Sequence, residues 1–134
     1  VYAFLERVSS NEAKKLISRF PPSLYTQREE LSPLAIIQGS SLKNDPYTEE
    51  VKRVATNGGL VRPTPFDALY FAYAVISNRC RFSYSWIVVM HDPVNKMLFG
   101  VSFENGKPIL TAHKADPRNG WYCSKGAFAF RKVL

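Results

Sequence analysis

His91 and His113 are the only imidazoles in this chain, and together with Glu104 they are the side chains best suited to moving protons near neutral pH. Two histidines, or a histidine and a carboxylate, are the inventory of acid/base cleavage of a phosphodiester, and Arg118 and Lys125 would then hold the phosphate. The spacing argues against that use. His91 stands beside a turn and Glu104 immediately precedes Asn105-Gly106, positions where a polar side chain is ordinarily just solvated. If the flanking strands pair with Val89, Leu98 and His113 abreast, His91 lies on the same face as His113 but about 10–12 Å from it by strand spacing. That is too far to share one phosphate. The expectation is a chain without catalysis, with His91, His113 and Glu104 as the residues to check.

Other reactive groups are sparser still. No serine and neither cysteine lies in a GxSxG or comparable activated context. Gly58-Gly59 lacks the Lys-Ser/Thr of a phosphate loop and the spacing of a dinucleotide turn, so it reads as a helix end. Cys80 and Cys123 cannot by themselves complete a four-ligand metal site, and neither belongs to a CxxC pair. Either they are two buried thiols or they form one disulfide, which would close roughly 40 residues, stabilise by about 4 kcal/mol and imply an oxidising compartment. No metal or small-molecule cofactor is expected. Phe82, Tyr84 and Trp86 would stack bases if exposed, but beside an apolar helix they are expected to pack in the core.

Charge is the clearer functional signal. Lys and Arg number 18 against 11 Asp and Glu, a formal +7, and beyond Gly106 six basic residues face only Asp116. Lys114, Arg118 and Lys125 are the expected binding residues of that basic surface, which would attract an acidic protein, nucleic acid or anionic lipid. With 134 residues, 46% of them hydrophobic, the chain is expected to form a single domain over residues 1–134 with a core that needs no metal. The longest apolar run, residues 68–76, is about half of a bilayer span, so no membrane span is expected. The sequence starts at Val1 with no leader pattern, which decides nothing about export.

The elements that must position these groups follow from periodicity. Residues 2–5 read as a short strand, and Ser9 with Glu12 forms a capping-box pattern ahead of Ala13, Leu16, Ile17 and Phe20 at helical spacing, ended by Pro21-Pro22. Residues 21–44 read as a long wrapped loop carrying one short buried strand at 34–37. Asp45-Pro46 opens a second helix with Val51, Val54 and Ala55 on one face and Gly58-Gly59 at its end. Thr64-Pro65, with Asp67 near the positive end of the dipole, opens a third that is apolar nearly all round. Alternation then predicts a strand over 82–90, a turn at 92–95, a second strand at 97–103, an Asn-Gly turn, a third strand at 108–112 and one or two strands within 121–133. This is α+β: helices packed on a twisted antiparallel sheet.

The order of these landmarks resembles the ADP-ribosyltransferase fold of the heat-labile-enterotoxin A-subunit type, found among secreted toxins and effectors. Val1-Tyr2 is similar to the start of its first strand, Glu12-Ala13-Lys14 followed by Phe20 to its first helix and exit, and Gly59-Leu60-Val61 leads into the position of its S-T-S motif. Residues 68–76 and 84–101 look like the following helix and strand pair. The resemblance implies a first-strand arginine for NAD, an S-T-S strand and an E-x-E glutamate. Here Ala3 stands at the arginine position, Pro63-Thr64-Pro65 at S-T-S, and after Asp92 the only acids are Glu104 and Asp116. Alanine cannot neutralise a pyrophosphate, and without the glutamate the cationic transition state loses its anionic stabiliser. A transferase ancestor would therefore be catalytically dead.

A second resemblance, to small secreted RNase-like fungal effectors, rests on the hairpin at 86–103 and on Cys123, although those proteins carry an early cysteine that this chain lacks. A compact β-sandwich effector covering only residues 80–134 would use the cysteine spacing but leave the N-terminal part unexplained. Taken together, the expectation is an exported, basic effector that acts by binding a host macromolecule, a host protein first, within or outside the host cell. The alternative is a secreted protein that binds or cleaves RNA.

Overall fold

The computed structural model describes residues 5, 7–18, 34–39, 42, 48–77, 84–115 and 125–132. Helix α1, Asn11–Ile17, starts where the extended backbone of Ser10 turns helical and its hydroxyl accepts a hydrogen bond from the Ala13 amide at 3.2 Å. The cap falls one residue after the Ser9 position expected from the Ser-x-x-Glu pattern. Ser9 is engaged elsewhere, bridging Leu110 through its backbone and donating its hydroxyl to the Leu5 carbonyl. Leu5 has helical backbone rather than the strand expected at 2–5, and residues 2–4 lie outside the described ones. Ala13, Leu16 and Ile17 are buried, as their spacing requires.

Helix α2, Thr48–Asn57, turns Val51 and Ala55 inward and leaves Val54 at the surface. It ends on Gly59, whose φ of +79° is a left-handed conformation that glycine adopts without a Cβ clash. The expected cap at Asp45-Pro46 lies outside the described residues. Helix α3, Pro65–Ser77, is fixed at its start by reciprocal bonds: the Thr64 amide donates to Asp67 Oδ2 at 2.8 Å, and the Asp67 amide donates to Thr64 Oγ1 at 3.2 Å. Ala68, Leu69, Ala72, Val75 and Ile76 bury the body of this helix. No helix among the described residues is long and apolar enough to cross a membrane.

Among the described residues six strands form one sheet: β1 (Leu34–Gln38), β2 (Leu60–Val61), β3 (Trp86–Val89), β4 (Met97–Glu104), β5 (Lys107–Lys114) and β6 (Gly126–Lys132). Their order is β1-β6-β3-β4-β5, with β2 also paired to β6. All pairs are antiparallel except β3 with β6, so the class is α+β as expected while the sheet is mixed rather than wholly antiparallel. On one face Ile87, Val89, Phe99, Val101, Leu110, Ala127 and Ala129 pack under α1 and α3. On the other Val88, Met90, Leu98, Phe128 and Phe130 pack with Val51 and Ala55 of α2.

The hairpins are closed by two-residue turns in which both central residues have positive φ, Asn95-Lys96 (51° and 64°) and Asn105-Gly106 (51° and 76°). This is the turn whose twist matches that of the strands. The second lies where the Asn-Gly signal places it. The first closes at Val94 and Met97, whose amides each donate to the other's carbonyl, and so falls two residues later than expected at 92–95. Pro93 has its φ fixed at a negative value that a turn of this kind excludes, and Asn95 tolerates positive φ. Val88 lies opposite Gly100, which sets Val89 against Phe99 instead of Leu98, and the five residues between Val88 and Val94 face only two between Met97 and Gly100.

Gly126 sits beneath the Trp86 indole, where a Cβ would come within 2.1 Å of the ring. Trp86 also meets Phe128 edge-on at 5.4 Å. A methyl group at 126 forces the ring off this seat, so Gly126→Ala is expected to cost about 1–3 kcal/mol in chemical denaturation. In a double-mutant cycle with Trp86→Phe, the combined loss should be smaller than the sum of the single losses.

Candidate functional site

His91 follows the end of β3 and is completely buried. Its Nε2 accepts a hydrogen bond from the Phe99 amide at 2.8 Å, and its Nδ1 lies 2.6 Å from the Asp92 carbonyl, to which it donates in the only tautomer that satisfies both contacts. The ring also packs against Phe99 at 5.6 Å. Burial pushes its pKa down to about 4, although the Asp92 carbonyl and the Asp92 and Asp67 carboxylates pull the other way. His91 is thus a neutral brace of the β3–β4 hairpin, with both ring nitrogens committed.

His113 belongs to the opposite face of the sheet. It pairs with Leu98, as expected, but its ring lies beside Gly100, at 3.1 Å from where a Cβ would be, and 6.4 Å from the Trp86 ring. The two histidines were expected on one face. The β3–β4 register differs by one residue from the expected one, and in a strand one residue exchanges the faces. Thr111 Oγ1 lies 2.8 Å from His113 Nε2, and Ser102 Oγ lies 3.4 Å from Thr111 Oγ1, a polar row that the sequence reading missed. Alternation on paired strands is the signal that could have shown it. Burial holds His113 at a pKa of about 4, so the imidazole is a weak base toward the Thr111 hydroxyl.

Glu104 is exposed at the opposite end of β5 from His113. It pairs with Lys107, six positions from His113, which places it about 20 Å away along the strand. The three candidate catalytic residues are therefore not brought together. The expected binding residues are dispersed too: Lys114 pairs with Met97 at one end of β4, while Lys125 accepts through its carbonyl from the Ser85 amide, next to Phe103 at the other end. Arg118, Cys80, Cys123 and Ala3 lie outside the described residues. Thr64, at the S-T-S position, is committed to capping α3.

Charge gathers instead where β3 and β6 end. Because these two strands are parallel, Asp92 emerges beside β2, which pairs Leu60 and Val61 with Lys132 and Arg131. Arg62 forms an ion pair with Asp92 across this junction. Their side chains are 50% and 71% exposed, so the pair adds no more than about 1 kcal/mol and exchanges partners readily. A cleft of about 480 Å³ opens there, with Lys52, Thr56, Arg62 and Asp92 as its polar wall and Ala55, Leu60, Val61 and Phe130 as its apolar lining. Partial burial of Lys52, and then the neighbouring Arg62 guanidinium, lower its pKa below the ordinary lysine value, against the pull of Asp92 and Glu49. Lys52, Thr56, Arg62 and Phe130 were not singled out from the sequence, and Ala55, Leu60, Val61 and Asp92 were named there only as landmarks of the layout. They come from α2, from β2 and the residue after it, from the segment after β3 and from β6, and the sheet order brings these together.

Among the described residues no three His, Cys, Asp or Glu side chains gather into a metal-binding group. No protein-family model, no curated protein and no solved structure matches this chain.

The burial of His91 makes stability depend on pH. The folded-state pKa of His91 lies below the unfolded value, so between about pH 6.5 and pH 4 the unfolded chain holds the extra proton. The stabilisation is complete above pH 6.5 and is lost as pH falls towards 4, a loss on the order of 3 kcal/mol for this residue. Urea midpoints measured from pH 7 to pH 4 should fall in this sense. His91→Gln, which keeps an acceptor and cannot titrate, should flatten the His91 share of the slope.

Proposed function

We propose that this chain is a contact protein of the secreted-effector type, an ADP-ribosyltransferase-like scaffold without catalytic groups that binds a host protein. The observation that carries this reading is the disposition of the two histidines and Glu104. His91 is braced in the core, His113 is held neutral on the other face, and Glu104 lies at a distant hairpin tip. A proton-transfer mechanism requires such groups within hydrogen-bond reach of one reacting atom. Charge, in contrast, is concentrated: Arg131 and Lys132 flank β2 at the same end of the sheet as Arg62 and Lys114. A surface of this kind steers an acidic partner and favours its association.

RNA binding is the second reading, and the same basic end supports it, because polyanion binding depends mainly on clustered Lys and Arg. The two separate by experiment. Incubation with NAD should release no nicotinamide, and release abolished by Glu104→Gln would overturn the non-catalytic reading. Binding to an acidic host protein should weaken at least about tenfold in R131E/K132E and show moderate salt dependence. An affinity for RNA that falls steeply with salt and disappears in K114E/R118E/K125E would instead establish the nucleic-acid reading.

A further inference from the structure

The cleft at the β2–β3 junction has a composition that contact with a macromolecule does not call for. Its wall brings together Lys52 from α2, Arg62 from the segment after β2 and Asp92 from the segment after β3, two cations against one carboxylate. Asp92 is paired with Arg62, and no carboxylate among the described residues lies within ion-pair distance of Lys52. A partly buried ammonium has given up hydration while Asp92 and Glu49 act on it only from beyond ion-pair distance, and an incoming anion in contact would restore that balance. Arg62 engages Asp92 through one nitrogen of a five-donor fork, so the same guanidinium can also face a second oxyanion. The Thr56 hydroxyl donates to the Lys52 carbonyl at 2.9 Å, which leaves its oxygen as an acceptor for a ligand hydroxyl.

The remainder of the lining is apolar. Phe130 and Ala55 are buried, while Val61, 43% exposed, forms an apolar lip beside the cations. A volume of about 480 Å³ falls within the range of small-molecule sites and is too small for a folded partner. We infer that this cleft binds a small organic phosphate, with its phosphate group between Lys52 and Arg62 and its apolar body against Leu60, Val61 and Phe130. A phosphomonoester carries between one and two negative charges and three acceptor oxygens, which matches two cationic donors better than a single carboxylate does. Asp92 is the gate of selectivity: it holds Arg62 in place and competes with the ligand for it. This inference is independent of the macromolecular reading, and each can fail without the other.

The test uses phenyl phosphate, inorganic phosphate and phenol as probes in amide-detected NMR titrations of the whole chain at neutral pH. Phenyl phosphate should bind saturably, with shifts centred on Lys52, Val61 and Arg62, more tightly than inorganic phosphate, and phenol should not bind. K52M should weaken phenyl phosphate at least about tenfold, the loss expected for one charge-assisted contact. D92N should tighten it several-fold by removing the competing carboxylate. This opposite pair of changes would not arise from diffuse attraction to a basic protein. Shifts that spread over the surface lysines without saturating, equal affinity for inorganic phosphate, or an affinity indifferent to both substitutions would overturn the inference. Both residues are on the surface, and unchanged circular dichroism of the variants secures the comparison.

Discussion

Strand β6 has to serve three partners at once, and the rest of the sheet depends on its doing so. On one side it pairs with β1 over Ala127–Arg131; on the other it pairs with β3 from Gly126 to Ala129 and then with β2 at Arg131 and Lys132. Among the described residues β1 and β2 have no other strand neighbour, and the β3-β4-β5 meander joins them only through β6. Its sequence meets both faces by alternation. Ala127 and Ala129 are small enough for the layer under α1 and α3, while Phe128 and Phe130 fill the layer under α2, each worth about 2–3 kcal/mol in apolar burial. Gly126 completes the pattern by leaving room for the Trp86 ring.

The direction of that pairing decides where chemistry can occur. With β3 and β6 parallel, their C-terminal ends finish together, and the residues that follow or flank them are Asp92, Arg62, Arg131 and Lys132. An antiparallel arrangement would have sent Asp92 to the opposite end of β6. The cationic end of the sheet and its cleft are thus consequences of one topological choice rather than of any local motif. The histidines illustrate the complementary case. His91 and His113 both adjoin β4, but from opposite faces, so a packed layer of side chains and one strand separate two groups that are close in the fold. Burial then withdraws both from the protonated state, and their role is to satisfy donors and fill space.

A fold of this kind relates to the expected effector-type scaffold only at the level of class, three helices on a mixed, mostly antiparallel sheet. The proposed readings therefore rest on the distribution of charge and on the cleft. Exposed ion pairs such as Arg62–Asp92 contribute little to stability, so they are easily rearranged when a stronger anion arrives. That leaves the same residues unimportant for folding and free to change partners.

What the sequence determined alone is local. The apolar spacing of α1, the Gly58-Gly59 stop of α2, the Thr64 start of α3 and the Asn-Gly hairpin between β4 and β5 were all legible, because each depends on interactions within a few residues. Where two local signals competed, a neighbour decided. Ser9 was drawn to Leu5 and Leu110, which moved the cap to Ser10, while the β3–β4 pairing settled one residue from the expected register and so changed the face of His91. Tertiary structure alone decided the parallel β3–β6 pairing, the separation of Lys114 from Lys125 and the meeting of Lys52, Arg62 and Asp92. Hydrophobic alternation assigns a residue to a face, but it carries no information about which strand lies next to which. That choice is made by how the whole set of faces can be buried together.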